Sequence, residues 1–266
     1  MINFPNIDPV VISLGPLAVT WYSLSYVVGI MLGRLYIIKL LEKNRSTISK
    51  QNIDDFVSWV IVGIIIGGRL GYVLFYDVAR YFANPIDILK TYEGGMSFHG
   101  GITGFIIASI LFCRKYKLRL LALTDLCAVV NPISLGLGRI ANFINAELYG
   151  RPTDVPWGVV FPYSDLKPRH PSQLYEAFLE GLILFFILRY VRIKYNALDR
   201  LGLLSGLFLI FYSLFRILAE FFREPDIQKG YYAHYFTMGQ ILCLPLFILG
   251  LILIFHSRSR CRSMQK

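Results

Sequence analysis

"LLALTDLCAVVNPISLGLGRIANFINAELYG", residues 120–150, opens with a mostly apolar run over 120–138. A helix of about 20 such residues crosses the hydrocarbon core of a bilayer. The stretch then changes character. Within nine residues it gathers Arg139, Asn142, Asn145 and Glu147. Its first half decides the fold and its second half marks a place where polar chemistry enters an apolar protein.

Six more apolar runs lie at about 17–38, 56–76, 99–113, 173–190, 202–222 and 237–255. The chain of 266 residues is 55% hydrophobic and only 17% charged, against about 25% charged in ordinary soluble domains. Its mean hydropathy is +0.54. These features predict an all-α polytopic membrane protein with seven transmembrane helices, forming a single integral membrane domain over residues 1–266. The third run is short and is expected to extend into the glycines before it or to tilt. The 16 N-terminal residues carry no Lys or Arg and three prolines, unlike a cleaved signal peptide, which begins with a basic segment.

The net charge of +10 is not a nucleic-acid signal, because the basic residues alternate with the runs. Sixteen of the 27 Lys and Arg residues follow runs one, three, five and seven: Lys39, Lys43, Arg45, Lys50; Arg114, Lys115, Lys117, Arg119; Arg189, Arg192, Lys194, Arg200; and Arg258, Arg260, Arg262, Lys266. Cytoplasmic loops carry this excess. The N-terminus is therefore expected outside and the C-terminus inside, and the basic loops are expected to meet anionic membrane lipid. On this topology the polar residues of 138–150 lie on the outer side. No internal repeat is evident, which argues against the two-halved build of many transporters. The cysteines Cys113, Cys127, Cys243 and Cys261 form no CxxC and read as apolar fillers rather than a disulfide or zinc framework.

Read as a helix at 100° per residue, "GRIANFINAELYG" (138–150) places Arg139, Asn142, Asn145 and Glu147 over a broad polar arc. That arc is too wide for one interhelical hydrogen bond and fits a polar cavity or a helix end entering water. A second group is "FYSLFRILAEFFREPD" (211–226), where Tyr212, Arg216 and Glu220 recur at i, i+4 and i+8 and share a face. A charge at the centre of a spanning helix costs about 2.5–3.5 kcal/mol on insertion scales, so Arg216 and Glu220 are expected to pair. Pro225 is expected to end this helix. A third group is "EGGMSFHGGITG" (93–104), in which five glycines surround His99. Gly67 and Gly71 flank Arg69 at GxxxG spacing, a packing pattern, and "RHPSQLYE" (169–176) reads mainly as a loop leading into run five. His99, His170 and His234 match no metal-ligand spacing, and no metal is expected. Two arginine forks, Arg139 and Arg216, on the outer side suit a phosphate, and at that depth the abundant phosphate belongs to a phospholipid.

"GRIANFINAELYG" fits the signature of the prolipoprotein diacylglyceryl transferase family, and the chain resembles that family over nearly its whole length. "GGRLGYVLFY", "EGGMSFHGG", "RHPSQLYE", "SGLFLIFYSLFRILAEFFREPD" and "MGQIL" carry the rest of the likeness. Ala141 stands where many members have Gly, Ala146 occupies a variable position that is often Gly, and the loop from Gly150 to His170 is short. The resemblance implies a multi-pass enzyme of the bacterial inner membrane with no cofactor. It would move the diacylglyceryl group of phosphatidylglycerol to the lipobox cysteine in the signal peptide of a prolipoprotein, releasing glycerol-1-phosphate in the first step of lipoprotein maturation. The attacking thiol belongs to the substrate and has a pKa of about 8.5, so it needs a base or a positive field. The expected roles follow. Arg139 holds the phosphate, and Asn142 and Glu147 orient it or the head group. Arg216, placed by Glu220 and Tyr212, stabilises the leaving phosphate. His99 takes or weakens the thiol proton, and Tyr22 lines the pocket. A phospholipid flippase and a non-catalytic scaffold are the competing classes.

Overall fold

The computed structural model describes residues 2–5, 7–15, 17–43, 47–75, 78–90, 94–162, 164–224 and 237–263. Helices dominate: α1 (Trp21–Lys43), α2 (Lys50–Phe75), α3 (Val78–Ala83), α4 (Phe98–Lys115), α5 (Leu120–Ile144), α6 (Ser172–Glu176), α7 (Leu184–Tyr195), α8 (Leu203–Glu220) and α9 (Met238–Ser263). Among the described residues five helices are long and apolar enough to cross a membrane: Trp21–Lys43, Lys50–Phe75, Leu120–Ile144, Leu203–Glu220 and Met238–Ser257. The chain is a helical, multi-pass membrane protein. The two remaining apolar runs of the sequence fall on α4, which starts at Phe98, and on a helix that begins at Ser172. That helix is continued by a π-helical segment, Ala177–Ile183, into α7. "RHPSQLYE" is thus not mainly a loop, because Ser172–Glu176 is already helical. Pro225 and His234 lie outside the described residues.

The chain divides into two compact units, Ile37–Leu123 and the remainder, Met1–Tyr36 with Thr124–Lys266. Inside the first unit, α2 and α4 touch backbone to backbone. A Cβ added to Gly104 would lie 2.0 Å from the Gly63 carbonyl oxygen, and one on Gly100 would lie 2.3 Å from that of Gly67. Small residues let lipid-embedded helices approach this closely, and dispersion contacts replace the absent hydrophobic drive. Arg69, at the α2 end of this seam, is buried. Its guanidinium donates to the carbonyls of Asp87, Ile88, Lys90, Gly94 and Gly95. One cation therefore ties Asp87, Ile88, Lys90, Gly94 and Gly95 to α2. Ser97 caps α4, its side chain accepting from the Gly100 N–H at 3.2 Å.

In the second unit, α8 has no capping side chain of its own at Gly202. Asp125, buried in α5, supplies one. It accepts from the N–H groups of Gly202 and Ser205 and from the Ser205 hydroxyl, each at 2.7 Å. A carboxylate facing the positive end of a helix satisfies donors that would otherwise be orphaned in the apolar interior. Gly206 and Gly250 bring α8 and α9 together, each lacking a Cβ that would lie 2.8 Å from the other's carbonyl oxygen. Short strands complete the unit: a hairpin of β2 (Val10–Leu14) and β3 (Leu17–Thr20), and a sheet of β1 (Ile2–Asn3), β4 (Val159–Val160) and β5 (Pro168–Arg169). The second sheet packs Val159 and Phe161 against Ala146, with Phe4, Phe143 and Tyr149 around them. Cys113, Cys127 and Cys243 are buried and form no disulfide.

Gly104→Ala is expected to cost about 1–3 kcal/mol through overpacking, read as a lower unfolding midpoint in detergent. Gly101→Ala, whose Cβ would meet only ordinary contacts at 3.6 and 3.9 Å, should leave the midpoint in place. Asp125→Ala strands the N–H groups of Gly202 and Ser205 at the head of α8. It should destabilise the protein by about 2–3 kcal/mol, with Asp125→Asn intermediate in the same measurement.

Candidate functional site

Arg139 enters from the last turns of α5. Its Nε lies 2.8 Å from Oε2 of Glu176, and its Nη2 lies 3.6 Å from Oε2 of Glu180. Arg216 of α8 approaches the same Glu176 through Nη1, 2.5 Å from Oε1, and holds Glu220 through Nη2. The i, i+4 pairing of Arg216 with Glu220 expected from the sequence is present. Arg223 adds a third guanidinium, 3.8 Å from Glu176 and 4.0 Å from Glu220. Three arginines and three glutamates thus share one buried cluster. Glu176, 1% exposed, joins the two arginines that the sequence assigns to one side of the membrane.

Glu220 is fixed further by Thr237, whose hydroxyl donates at 2.8 Å. The backbone of Gly239, in "MGQIL", passes so close that a Cβ there would lie 2.5 Å from Glu220 Oε1. Around Arg139 the helices also crowd: Gly181 of the π segment faces Gly136 of α5, where an added Cβ would lie 2.7 Å from the Gly136 Cα. A π turn widens the helix locally and is often found at functional sites. Here it carries Glu180.

The helical reading of 138–150 needs correction. α5 ends at Ile144, and Ala146 adopts φ +53°. The N–H of Ala146 donates to the Phe143 carbonyl and that of Glu147 to the Asn142 carbonyl, the bond pattern of a Schellman stop. This left-handed position is the natural place for Gly, and here Ala146 holds it. Glu147 therefore does not share a helical arc with Arg139. It folds back, and its Oε1 accepts from Asn142 Nδ2 at 2.8 Å and Asn145 Nδ2 at 3.2 Å. Gln173 Nε2 donates to the Glu147 carbonyl at 2.6 Å.

The chain beyond the stop is stitched to the end of α8. The N–H of Gly150 donates to the His170 carbonyl and that of Arg151 to the Phe222 carbonyl. A Cβ on Gly150 would lie 2.5 Å from the Phe222 oxygen. The Arg151 Nε donates to the Arg223 carbonyl at 2.9 Å and its Nη2 to the Glu220 carbonyl at 3.3 Å. Arg169 bonds Glu224 at 2.5 Å and Asp165 at 3.1 Å, and its hydrogen bond holds the Asp165 carboxyl below the usual carboxylate range. His170 rests against Phe222 and its Nδ1 lies 3.1 Å from the Tyr175 hydroxyl; burial holds its pKa below the ordinary imidazole value. A cavity of about 300 Å³ lies beside the α5 stop, lined by Phe4, Ile144, Asn145, Phe161 and Leu166 among others.

Of the other predicted residues, Tyr22 is partly exposed, and its hydroxyl lies 3.0 Å from that of Tyr26. Tyr212 stacks on Phe208, with centroids 5.9 Å apart, and feels the charges of Glu180, Arg216 and Arg139. His99 belongs to the other unit, exposed in the first turn of α4, its carbonyl accepting from Thr103. The residues missed by sequence reasoning are Glu176, Glu180, Gln173, Arg223 and Asp125. A signal exists for three of them: Gln173, Glu176 and Glu180 stand at i, i+3 and i+7 in an apolar run. Among the described residues no group of three His, Cys, Asp or Glu could hold a metal ion.

Known proteins resemble this chain over nearly its whole length. The family model described as prolipoprotein diacylglyceryl transferase matches residues 9–256. The phosphatidylglycerol–prolipoprotein diacylglyceryl transferase of Rickettsia felis is 62% identical over 258 residues, covering 97% of this chain and all of the relative. The protein of that name from Rickettsia rickettsii is 61% identical over the same shares. That from Rickettsia bellii is 60% identical over 99% of this chain and all of its own length. With matches of this extent, the chain belongs to the prolipoprotein diacylglyceryl transferase family.

Proposed function

We propose that the protein transfers the diacylglyceryl group of phosphatidylglycerol to the lipobox cysteine of prolipoproteins, as its relatives are named for doing. The observation that carries this reading is the state of Arg139. Its Nε and Nη2 face Glu176 and Glu180, and its Nη1 has no protein acceptor among the described residues. A guanidinium oriented by carboxylates, with donors left over, is suited to a lipid phosphate. In the reaction the substrate sulfur attacks the glyceryl carbon bonded to the phosphate oxygen. A C–S bond forms, the C–O bond breaks, and its electron pair leaves on glycerol-1-phosphate. Arg216, anchored by Glu176 and Glu220, supplies positive potential for that gathering charge in a site with little water. Asn142 and Glu147, locked together, orient the head group. Tyr212 and Tyr22 complete the pocket, and His99 receives the thiol proton. The chemistry calls for no cofactor and no nucleic acid.

The same reading places the enzyme in the bacterial inner membrane as a single domain over 1–266. It has seven spans, with the N-terminus outside, the C-terminus in the cytoplasm and the site toward the outer face. The two spans added to the five long apolar helices are α4 and the π-interrupted helix from Ser172 to Tyr195.

Purified protein incubated with phosphatidylglycerol and a lipobox peptide should yield glycerol phosphate and a peptide heavier by one diacylglyceryl group. A Cys→Ser peptide should yield neither. Flipping of lipid without product would favour a transporter. Arg139→Lys and Arg216→Lys each replace a fork by a point charge, and turnover should fall by about 10²-fold or more; full turnover in Arg139→Lys removes that residue from the phosphate site. His99→Gln should abolish the neutral-pH rate, and a wild-type rate across neutral pH would show that another group takes the proton.

A further inference from the structure

Glu180 is wholly buried, and neither of its carboxylate oxygens has a hydrogen-bond donor among the described residues. Arg139 Nη2, 3.6 Å from Oε2, stands past ordinary hydrogen-bonding distance and acts on it chiefly through charge. The group faces the charges of Arg139, Glu176 and Arg216 and the neutral side chains of Tyr212 on α8 and Cys243 on α9. Glu220, by contrast, receives hydrogens on both oxygens, from Arg216 and from Thr237; Glu176 receives one from Arg216 on Oε1, while its Oε2 meets Arg139 as an ion pair without an aligned hydrogen. A buried carboxylate without donors is among the more costly arrangements in a protein. A nearby hydroxyl, Ser213 Oγ, one turn from Arg216, is likewise buried and without a partner. Glu180, beside Arg139, and Ser213, one turn from Arg216, are thus buried polar groups whose missing hydrogen bonds a ligand can supply.

Given the transferase reading above, on which this inference rests, the ligand beside Arg139 is a phosphodiester whose head group is glycerol. That head group carries two hydroxyls, both able to donate, and a carboxylate is an acceptor with room for several donors. We infer that Glu180 reads the lipid head group: with the phosphate on Arg139, its carboxylate accepts hydrogen bonds from the glycerol hydroxyls. Selection for phosphatidylglycerol then resides on the π turn, which places Glu180 next to the guanidinium that holds the phosphate. A head group without hydroxyls would leave the carboxylate buried and unpaired, and sites built to bind a hydroxyl reject analogues that lack it by large factors.

The test compares phosphatidylglycerol with phosphatidylpropanol, which keeps the phosphodiester and lacks both hydroxyls, using the full-length enzyme and a lipobox peptide. Wild type should prefer phosphatidylglycerol by about 100-fold or more in kcat/KM. Glu180→Gln keeps the size and removes the charge, and should bring the preference to within about tenfold because phosphatidylglycerol loses far more than phosphatidylpropanol. If Glu180 only steadied Arg139, both lipids would suffer alike and the preference would survive; that result overturns the inference. Wild type alone supplies a second test that needs no variant to fold, because equal use of the two lipids also overturns it. Wild-type protein that turns over neither lipid instead removes the transferase reading, and this one with it.

Discussion

Glu176 is the residue on which the polar interior turns. It is buried, and its two oxygens hold two guanidiniums from different helices, Arg139 of α5 and Arg216 of α8. Without that carboxylate two cations would face each other in an apolar bundle. A buried ion pair seldom exceeds a well-packed apolar pair in stability, yet removing one partner costs about 3–5 kcal/mol because a bare charge is left behind. The cluster is therefore better understood as preorganisation than as glue. It keeps arginine donors aimed and charged before any substrate arrives, which is what electrostatic catalysis requires of its donors.

The backbone around the cluster serves the same end. α5 has to stop just past Arg139, and the left-handed Ala146 makes it stop. The returning chain is then bonded to the last residues of α8 through Gly150, Arg151 and Phe222. The other end of α8 is held by Asp125 of α5. The helices that carry Arg139 and Arg216 are thus clamped together at both ends, and neither arginine can slide along its partner. Gly136 against Gly181 and Gly239 against Glu220 remove the side chains that would keep these pieces apart.

Much of this is legible in the sequence, and the rest is hidden for definable reasons. Apolar runs and their length identify a helical membrane protein because lipid leaves the backbone no alternative. The pairing of Arg216 and Glu220 follows from i, i+4 spacing in one regular helix. Glu147 escapes a helical wheel because a wheel assumes that the helix continues, and a single residue with positive φ ends it. Gln173, Glu176 and Glu180 do form an i, i+3, i+7 stripe, but the first two stand in "RHPSQLYE", which reads as a loop until His170–Pro171 is known to start a helix. Glu180 stands in a π segment that the spacing does not announce. Asp125 looks like one polar residue in an apolar run, because its partners at Gly202 and Ser205 are 77 and 80 residues away.

The two arginines look equivalent in the sequence and are not equivalent in the structure. Arg216 gives each terminal nitrogen to a different carboxylate, so both prongs of its fork are engaged. Arg139 turns its Nε edge toward Glu176 at close range, stands farther from Glu180 and keeps one terminal nitrogen clear of protein acceptors among the described residues. An anion entering the cluster could bond Arg139 without displacing a glutamate, whereas bonding the fork of Arg216 would mean breaking an ion pair already formed in low dielectric. Arg216 acts on such an anion best through its field, and that role tolerates its carboxylate partners. Division of labour between the two residues thus follows from which carboxylates reach which nitrogen, and Glu176, by taking one nitrogen from each, sets it.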